Sequence, residues 1–155
     1  MFLIWDLDGT VIDSNHRKAT KADGSLDLEH WFENNTPEKI AKDSLLPLVN
    51  SMRQLYAQGY YTLICTARSF QDADWEFLEK HNIPFHACLH REIGDMRGDD
   101  IMKLDYLQQF FGTAGFPLKG SDIIMIDDNK KVLQTLDKAG ILCLDATKLN
   151  KDLGA

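Results

Sequence analysis

Three places in this 155-residue chain set carboxylates or a hydroxyl directly after an apolar run. Phe2-Leu3-Ile4-Trp5 leads into Asp6-Leu7-Asp8-Gly9-Thr10, Tyr60 to Cys65 leads into Thr66-Ala67-Arg68, and Ile123 to Ile126 leads into Asp127-Asp128-Asn129. An apolar run that stops at a glycine reads as a buried parallel strand entering a tight turn. On a continuing strand Asp6 and Asp8 would face opposite ways. Gly9 lets the chain bend, so both carboxylates can reach the carboxyl edge of the sheet. Crowded carboxylates repel unless a cation lies between them or one keeps a proton. Asp6, Asp8, Asp127 and Asp128 together therefore ask for a hard divalent cation, and oxygen-only ligation favours Mg2+. Thr66 can donate to a phosphoryl oxygen, and Lys103 can bring a point positive charge. Those are the parts of a phosphoryl-transfer site. A polar strand end with an ordinary Asp-Gly turn is the competing reading of the first cluster. Chance placement would not, however, put three polar clusters at equivalent strand ends, where open α/β sheets bind ligands.

The elements that must position these residues alternate along the chain. After the first strand comes a polar stretch, residues 11–36, in which Trp31 and Phe32 are expected to anchor the segment to the core. Thr36-Pro37-Glu38 and Asp43-Ser44 both read as helix starts, with helical spacing from Leu45 to Tyr56 and a stop at Gly59. A helix is expected from about Asp72 to His81 with Trp75 and Leu78 inward and Phe77 a further candidate, then a strand from Phe85 to Leu89. A charged turn, His90 to Gly98, precedes a helix from Asp99 to Phe111 with Ile101, Leu104, Leu107 and Phe111 on one face. A helix from Lys130 to Lys138 and a strand from Ile141 to Leu144 complete the pattern. Five strands with intervening helices predict an α/β fold: a doubly wound, parallel five-stranded sheet with helices on both faces, in one domain spanning 1–155.

Composition narrows the classes. A net charge of -7 argues against a broad basic surface for duplex DNA or membranes. The early Asp6 and the short apolar runs argue for a cytoplasmic protein with no signal peptide or membrane span. Cys65, Cys88 and Cys143 lack metal or disulfide spacing and read as small apolar residues of a reducing compartment. The P-loop, dinucleotide-binding and H-E-x-x-H zinc motifs are absent.

Taken in order, D-x-D-G-T at Asp6 to Thr10, the strand-end Thr66, Lys103 and the strand-end Asp127-Asp128 resemble the four motifs of the haloacid dehalogenase superfamily. The resemblance implies that Asp6 attacks phosphorus to form an aspartyl-phosphate. It implies that Asp8 protonates the leaving oxygen and later activates water, while Thr66 and Lys103 hold phosphoryl oxygens. Asp6, the backbone carbonyl of Asp8, and Asp128 would bind Mg2+, with Asp127 a ligand or an outer partner. The superfamily often carries a cap domain; here both intervals that could hold one are short, so a minimal or absent cap is expected and an open mouth with it.

A second resemblance concerns substrate. Arg91 to Lys103, together with His16-Arg17 and Thr66-Ala67-Arg68, is similar to the 3'-phosphatase domain of phage polynucleotide kinases. It implies that Arg17, Arg68 and Asp99 belong to the active site, beside substrate-binding Gly9, Thr10 and Ala67. Two arginine forks suit bidentate recognition of phosphate. Asp99, four residues before Lys103, can pair with it or hold an arginine in place. The expected activity is therefore removal of 3'-phosphates from DNA or RNA ends, with Arg17 reading the strand backbone and a separate kinase or ligase as a possible partner. The alternative is a small-molecule phosphatase acting on nucleotides. A non-enzymatic phosphate-binding protein would lack the nucleophile or the acid, and both are present.

Overall fold

The computed structural model describes residues 1–113 and 120–155. Strand β1 (Phe2–Trp5) is central, and β4 (Tyr61–Thr66), β5 (Ala87–His90), β6 (Gly120–Asp127) and β7 (Ile141–Asp145) complete a five-stranded sheet of order β5-β4-β1-β6-β7. Every pairing in it is parallel. Helices α3 (Leu48–Ala57), α4 (Asp72–Lys80) and α7 (Ala146–Asp152) cover one face, and α5 (Asp99–Thr113) and α6 (Lys130–Lys138) cover the other. The alternation of β1 divides the core: Leu3 and Trp5 enter one apolar layer and Ile4 the other. Because β1 is buried on both faces it reads as a continuous apolar run, as central parallel strands do. The strand order reverses between β1 and β6, and the polar residues that follow these two strands face each other across that crevice.

Between β1 and α3 lies a small irregular unit rather than a cap domain. It contains β2 (Ile12–Asp13) paired antiparallel with β3 (Ser44–Leu45), a 3-10 turn at Asn15–Arg17, and the short helices α1 (Leu28–Glu33) and α2 (Pro37–Ile40). Asp27 caps α1, and Thr36 caps α2 with Pro37 in its first turn. The expected helix start at Asp43-Ser44 is corrected here. Ser44–Leu45 pair with Ile12–Asp13, and α3 begins only after Pro47, whose fixed φ suits a helix entrance. One residue on each of two helical faces departs from its expected direction, while Leu78, Leu107 and Phe111 are buried as expected. Trp75 is partly exposed while Phe77 and Leu78 are buried, and on α5 Met102 and Lys103 point inward while Ile101 faces out. Lys103 carries a charge into a buried position, which a hydrophobic period cannot anticipate. Helix α7, unanticipated from sequence, starts at Asp145, whose side chain accepts from Thr147 N–H. No helix among the described residues is long and apolar enough to cross a membrane.

Helix α7 returns to the start of the chain. The Asn150 amide nitrogen donates to the Thr10 carbonyl at 2.9 Å, and its oxygen accepts from Leu48 N–H at 2.9 Å. One buried side chain thus ties the turn after β1 to the entrance of α3. Asn150→Ala would orphan both backbone groups, each costing about 1–3 kcal/mol when left buried without a partner. The expected loss is ~2–4 kcal/mol in urea unfolding with an unchanged m-value; a loss below ~1 kcal/mol would mean that the clamp is not structural.

Candidate active site

Trp5 and Ile126 are register partners, so Asp6 and Asp127 emerge side by side from β1 and β6. The Asp6 N–H donates to the Ile126 carbonyl at 3.0 Å, which extends the ladder to Asp6. Carboxylate oxygens of Asp6, Asp127 and Asp128 all lie within 4.8 Å of one another. Lys103 reaches across from α5, its Nζ 2.9 Å from Asp6 and 2.7 Å from Asp127. Burial, then the neighbouring Asp127, pushes the Asp6 carboxyl well above its ordinary value despite Lys103. Burial raises Asp128 as well, with Asp127 adding to it. Burial works against the Lys103 ammonium, but Asp6 and Asp127 overcome it and hold the lysine charged. One buried cation against three carboxylates leaves a negative excess.

Gly9 is required twice. Its φ is +78°, and a Cβ built there would strike the Asp128 carboxylate, 2.6 Å from its Cγ. Just beyond, the Leu7 carbonyl accepts from the N–H groups of Thr10, Val11 and Ile12. The turn is therefore wound tightly enough to present Asp6 and Asp8 at one edge, as the D-x-D-G spacing suggests.

Asp8 does not join the carboxylate cluster. Its side chain turns to the opposite wall, where Arg68 grips both of its oxygens at 2.8 and 2.6 Å and Ser14 donates at 2.7 Å. Burial pushes Asp8 up, but the Arg68 guanidinium outweighs it and holds the carboxyl well below the usual range. Arg68 is buried and caged on its other sides by Asp74 at 2.8 Å and Asp43 at 2.9 Å. Asp43 in turn accepts two bonds from Arg17, both at 2.9 Å, and touches His16 at 2.7 Å.

This network corrects the expectation for Arg17. Its side chain is fully buried, bound to Asp43 and Asn35 and stacked 4.3 Å from the Trp31 ring centroid, and it does not line the site cavity. In this arrangement the Arg17 guanidinium is committed to buried partners and not to the cavity. Arg68 does border the cavity, but its donors are taken by three aspartates. Asp43 and Asp74 were missed in the sequence. Asp43 resembles a helix start, and Asp74 completes a capping box with Gln71.

A cavity of about 570 Å³ opens above the carboxylates, within the roughly 300–1,000 Å³ typical of small-molecule sites. Asp6, Asp8, Asp127, Asp128 and Lys103 border its base, as do Ala67, Arg68 and Asp99. Thr66, Thr10 and Gly9 lie behind this surface. The Thr66 hydroxyl accepts from Arg68 N–H at 3.1 Å, and Thr10 makes a long 3.4 Å contact to Asp6. Asp99 does not pair with Lys103; it pairs with Arg91 at 2.8 Å. Arg91 also donates to the carbonyls of Ala67, Asp95 and Arg97, so it organises the 91–98 loop. The mouth expected to be open is lined by that loop and by residues of the 18–35 segment. Trp31 and Phe32 belong to this flank and not to the core: α1 buries no residue, and Phe32 is largely exposed.

Three convergent carboxylates with net negative excess fit a hard divalent ion, and Asp6, Asp127 and Asp128 are the residues that could hold it. Beside them stand one charged lysine and one ionised, arginine-held aspartate. Asp6, Lys103 and Asp8 all border the cavity, so a phosphoryl group entering it would meet a carboxylate, a cation and a second carboxylate.

The sequence matches the family described as Bacteriophage T5 5'-deoxynucleotidase over residues 1–155. It is 33% identical over 165 residues to the 5'-deoxynucleotidase of Escherichia phage T5, covering 96% of this chain and 68% of that protein. Among solved structures, a chain of the Pnkp1/Rnl/Hen1 RNA repair complex is similar with a TM-score of 0.69 at 20% identity, over 93% of this chain and 41% of that one. The chain thus spans under half the length of that repair protein. A haloacid dehalogenase-like hydrolase from Streptococcus pneumoniae is similar with a TM-score of 0.67 at 15% identity, over 96% and 90% of the two chains. The D,D-heptose 1,7-bisphosphate phosphatase of B. bronchiseptica, in complex with magnesium and phosphate, is similar with a TM-score of 0.57 at 15% identity, over 100% and 88%. These likenesses establish the haloacid dehalogenase-like fold without a large cap.

Two outcomes follow for the cluster. Mg2+ at ~100 times its Kd stabilises by about 2.7 kcal/mol, which for a chain of this size raises Tm by ~5–10 °C. Chelator-treated protein near neutral pH should show that rise, and Asp128→Asn and Gly9→Ala should each lose most of it. The pH dependence has a definite sign. Asp6 and Asp128 have raised folded pKa values, so their contribution is fully present below the unfolded pKa of ~4 and is lost as pH rises through the raised values. The Mg2+ increment should therefore grow with pH across that window. Asp8 works oppositely: its contribution is present above ~4 and is lost as pH falls through its depressed value. A Tm increment independent of pH would contradict the assignment of the cation to this cluster.

Proposed function

The chain belongs to the Bacteriophage T5 5'-deoxynucleotidase family, and on that premise we propose that it is a divalent-metal-dependent phosphomonoesterase that hydrolyses deoxynucleoside 5'-monophosphates. The match over the whole chain to a 5'-deoxynucleotidase carries the substrate half of this reading. Burial of Arg17, away from the cavity, weighs in the same direction, because it withdraws the residue expected to follow a polynucleotide strand. Likeness to the RNA repair chain is a likeness of fold at 20% identity and adds no substrate information.

Asp6 is the nucleophile of this reading. Its oxygen bonds to phosphorus as the bond to the sugar 5'-oxygen breaks, giving an aspartyl-phosphate and the nucleoside. Water then attacks that phosphorus, and phosphate leaves with Asp6 restored. Lys103 steadies the phosphoryl oxygens and the Asp6 charge from one side. Asp6, Asp127 and Asp128 would hold a divalent ion, whose positive charge would keep Asp6 ionised and polarise the phosphoryl group. Asp8 is an anion in the resting arrangement, ready to take the proton from water in the second step. For the first step Asp8 must first take up a proton, from solvent or from the incoming phosphate monoanion, and pass it to the 5'-oxygen, so its double bond to Arg68 has to loosen when substrate enters. Arg68, Asp43 and Asp74 set the direction of Asp8.

The test is phosphate release, with Mg2+, from a deoxynucleoside 5'-monophosphate, its 3'-isomer, a 3'-phosphorylated oligonucleotide and an aryl phosphate. The 5'-monophosphate should have the highest kcat/KM. A higher value on the oligonucleotide 3'-end would replace this reading with the end-repair phosphatase. Asp6→Asn should cost about a thousandfold or more in kcat on every substrate. Asp8→Asn should cost more on the nucleotide than on the aryl phosphate, whose leaving group needs little protonation.

A further inference from the structure

Helix α1 is an amphipathic helix without a core to face. Leu28, Trp31 and Phe32 stand at i, i+3 and i+4, the spacing of one helical face, yet none of the helix is buried. All three line the cavity above the carboxylates. The 91–98 loop adds Ile93 and Met96 to the same lining. Exposure reaches 95% at Ile93, 79% at Met96, 58% at Phe32 and 53% at Leu28. Single exposed apolar side chains are ordinary, but four of them lining one polar-floored cavity mark a binding surface. Both flanks are also braced. Arg17 stacks on Trp31 and is itself locked to Asp43. Arg91 ties the 91–98 loop to Ala67 and Asp99.

Resting on the nucleotide reading above, we infer that these two flanks form a nucleobase clamp: the base enters between Phe32 with Trp31 on one side and Ile93 with Met96 on the other, while the 5'-phosphate meets Asp6. A flat, weakly polar ring is the part of a nucleotide that apolar walls take up, and thioether sulfur makes favourable contacts with aromatic rings. The sugar and phosphate belong with the charged floor. The apolar side chains of the walls offer area, and the side-chain oxygen of Asn35 is already held by Arg17. They therefore recognise that a base is present, and they select a mononucleotide over a bare sugar phosphate.

The experiment compares thymidine 5'-monophosphate with 2-deoxyribose 5-phosphate, which keeps the reacting phosphate and lacks the base. An aryl phosphate would be a poor control because its ring can itself enter the clamp. The quantity read is the ratio of kcat/KM for the nucleotide over the sugar phosphate. In the parent protein that ratio should exceed about ten, and in Phe32→Ala and Ile93→Ser it should fall by roughly 5- to 100-fold, the range for loss of one base-stacking partner. The fall should appear mainly in KM. Phe32→Leu, which keeps apolar bulk, should recover part of it. If the parent hydrolyses both substrates with equal efficiency, or the variants lose equally on both, the clamp is overturned while the nucleotidase reading stands. If the parent releases phosphate from the sugar phosphate and not from the nucleotide, both readings fall.

Discussion

Mutual repulsion among aspartates at the carboxyl edge of the sheet is the constraint around which the site is built. Asp6, Asp127 and Asp128 lie within one small volume, and burial makes their charge more costly. Lys103 offsets part of this from a helix that begins more than ninety residues after Asp6. The remaining negative excess is what a divalent ion would neutralise. Asp8 avoids the crowd because Arg68 draws it to the opposite wall. Two carboxylates two residues apart thus meet different cations and acquire opposite pKa shifts, the condition for dividing nucleophile and proton-transfer roles between them.

The second wall depends on a buried ionic network that crosses the fold. Arg68 follows β4, Asp74 sits in α4, and Asp43 and Arg17 belong to the irregular unit between β1 and α3. Breaking one member would leave a partner buried without compensation, a cost of about 3–5 kcal/mol. The network therefore fastens the irregular unit to the sheet at the place where Asp8 must be aimed. Its members fix the direction of Asp8 and the seat of Trp31, and so couple Asp8 to the cavity flank.

That unit takes the place of a separate cap domain. It is too small to bury a core of its own, as the lack of any buried residue in α1 illustrates. Its apolar residues stay at the cavity instead, together with those of the 91–98 loop. Exposing them weakens the free protein slightly and leaves that surface available to a ligand.

The sequence alone determined the sheet and the positions of its chemistry. Apolar runs ending in Asp6, Thr66 and Asp127 set three of the five parallel strands, and a central strand buried on both faces must read that way whatever its neighbours are. The D-x-D-G-T turn was legible too, since positive φ and the approach of Asp128 leave Gly9 no substitute. Tertiary structure decided which cation each carboxylate meets. Nothing local to Arg17 distinguishes a solvent-facing arginine from one locked under Trp31, because its partner Asp43 lies twenty-six residues away and looks like a helix cap. Trp31 and Phe32 likewise carry the same hydrophobic signal in a core or at a cavity. Hydrophobic pattern reports that a residue avoids water; only the packed chain determines whether its neighbour is another side chain or the space above three aspartates.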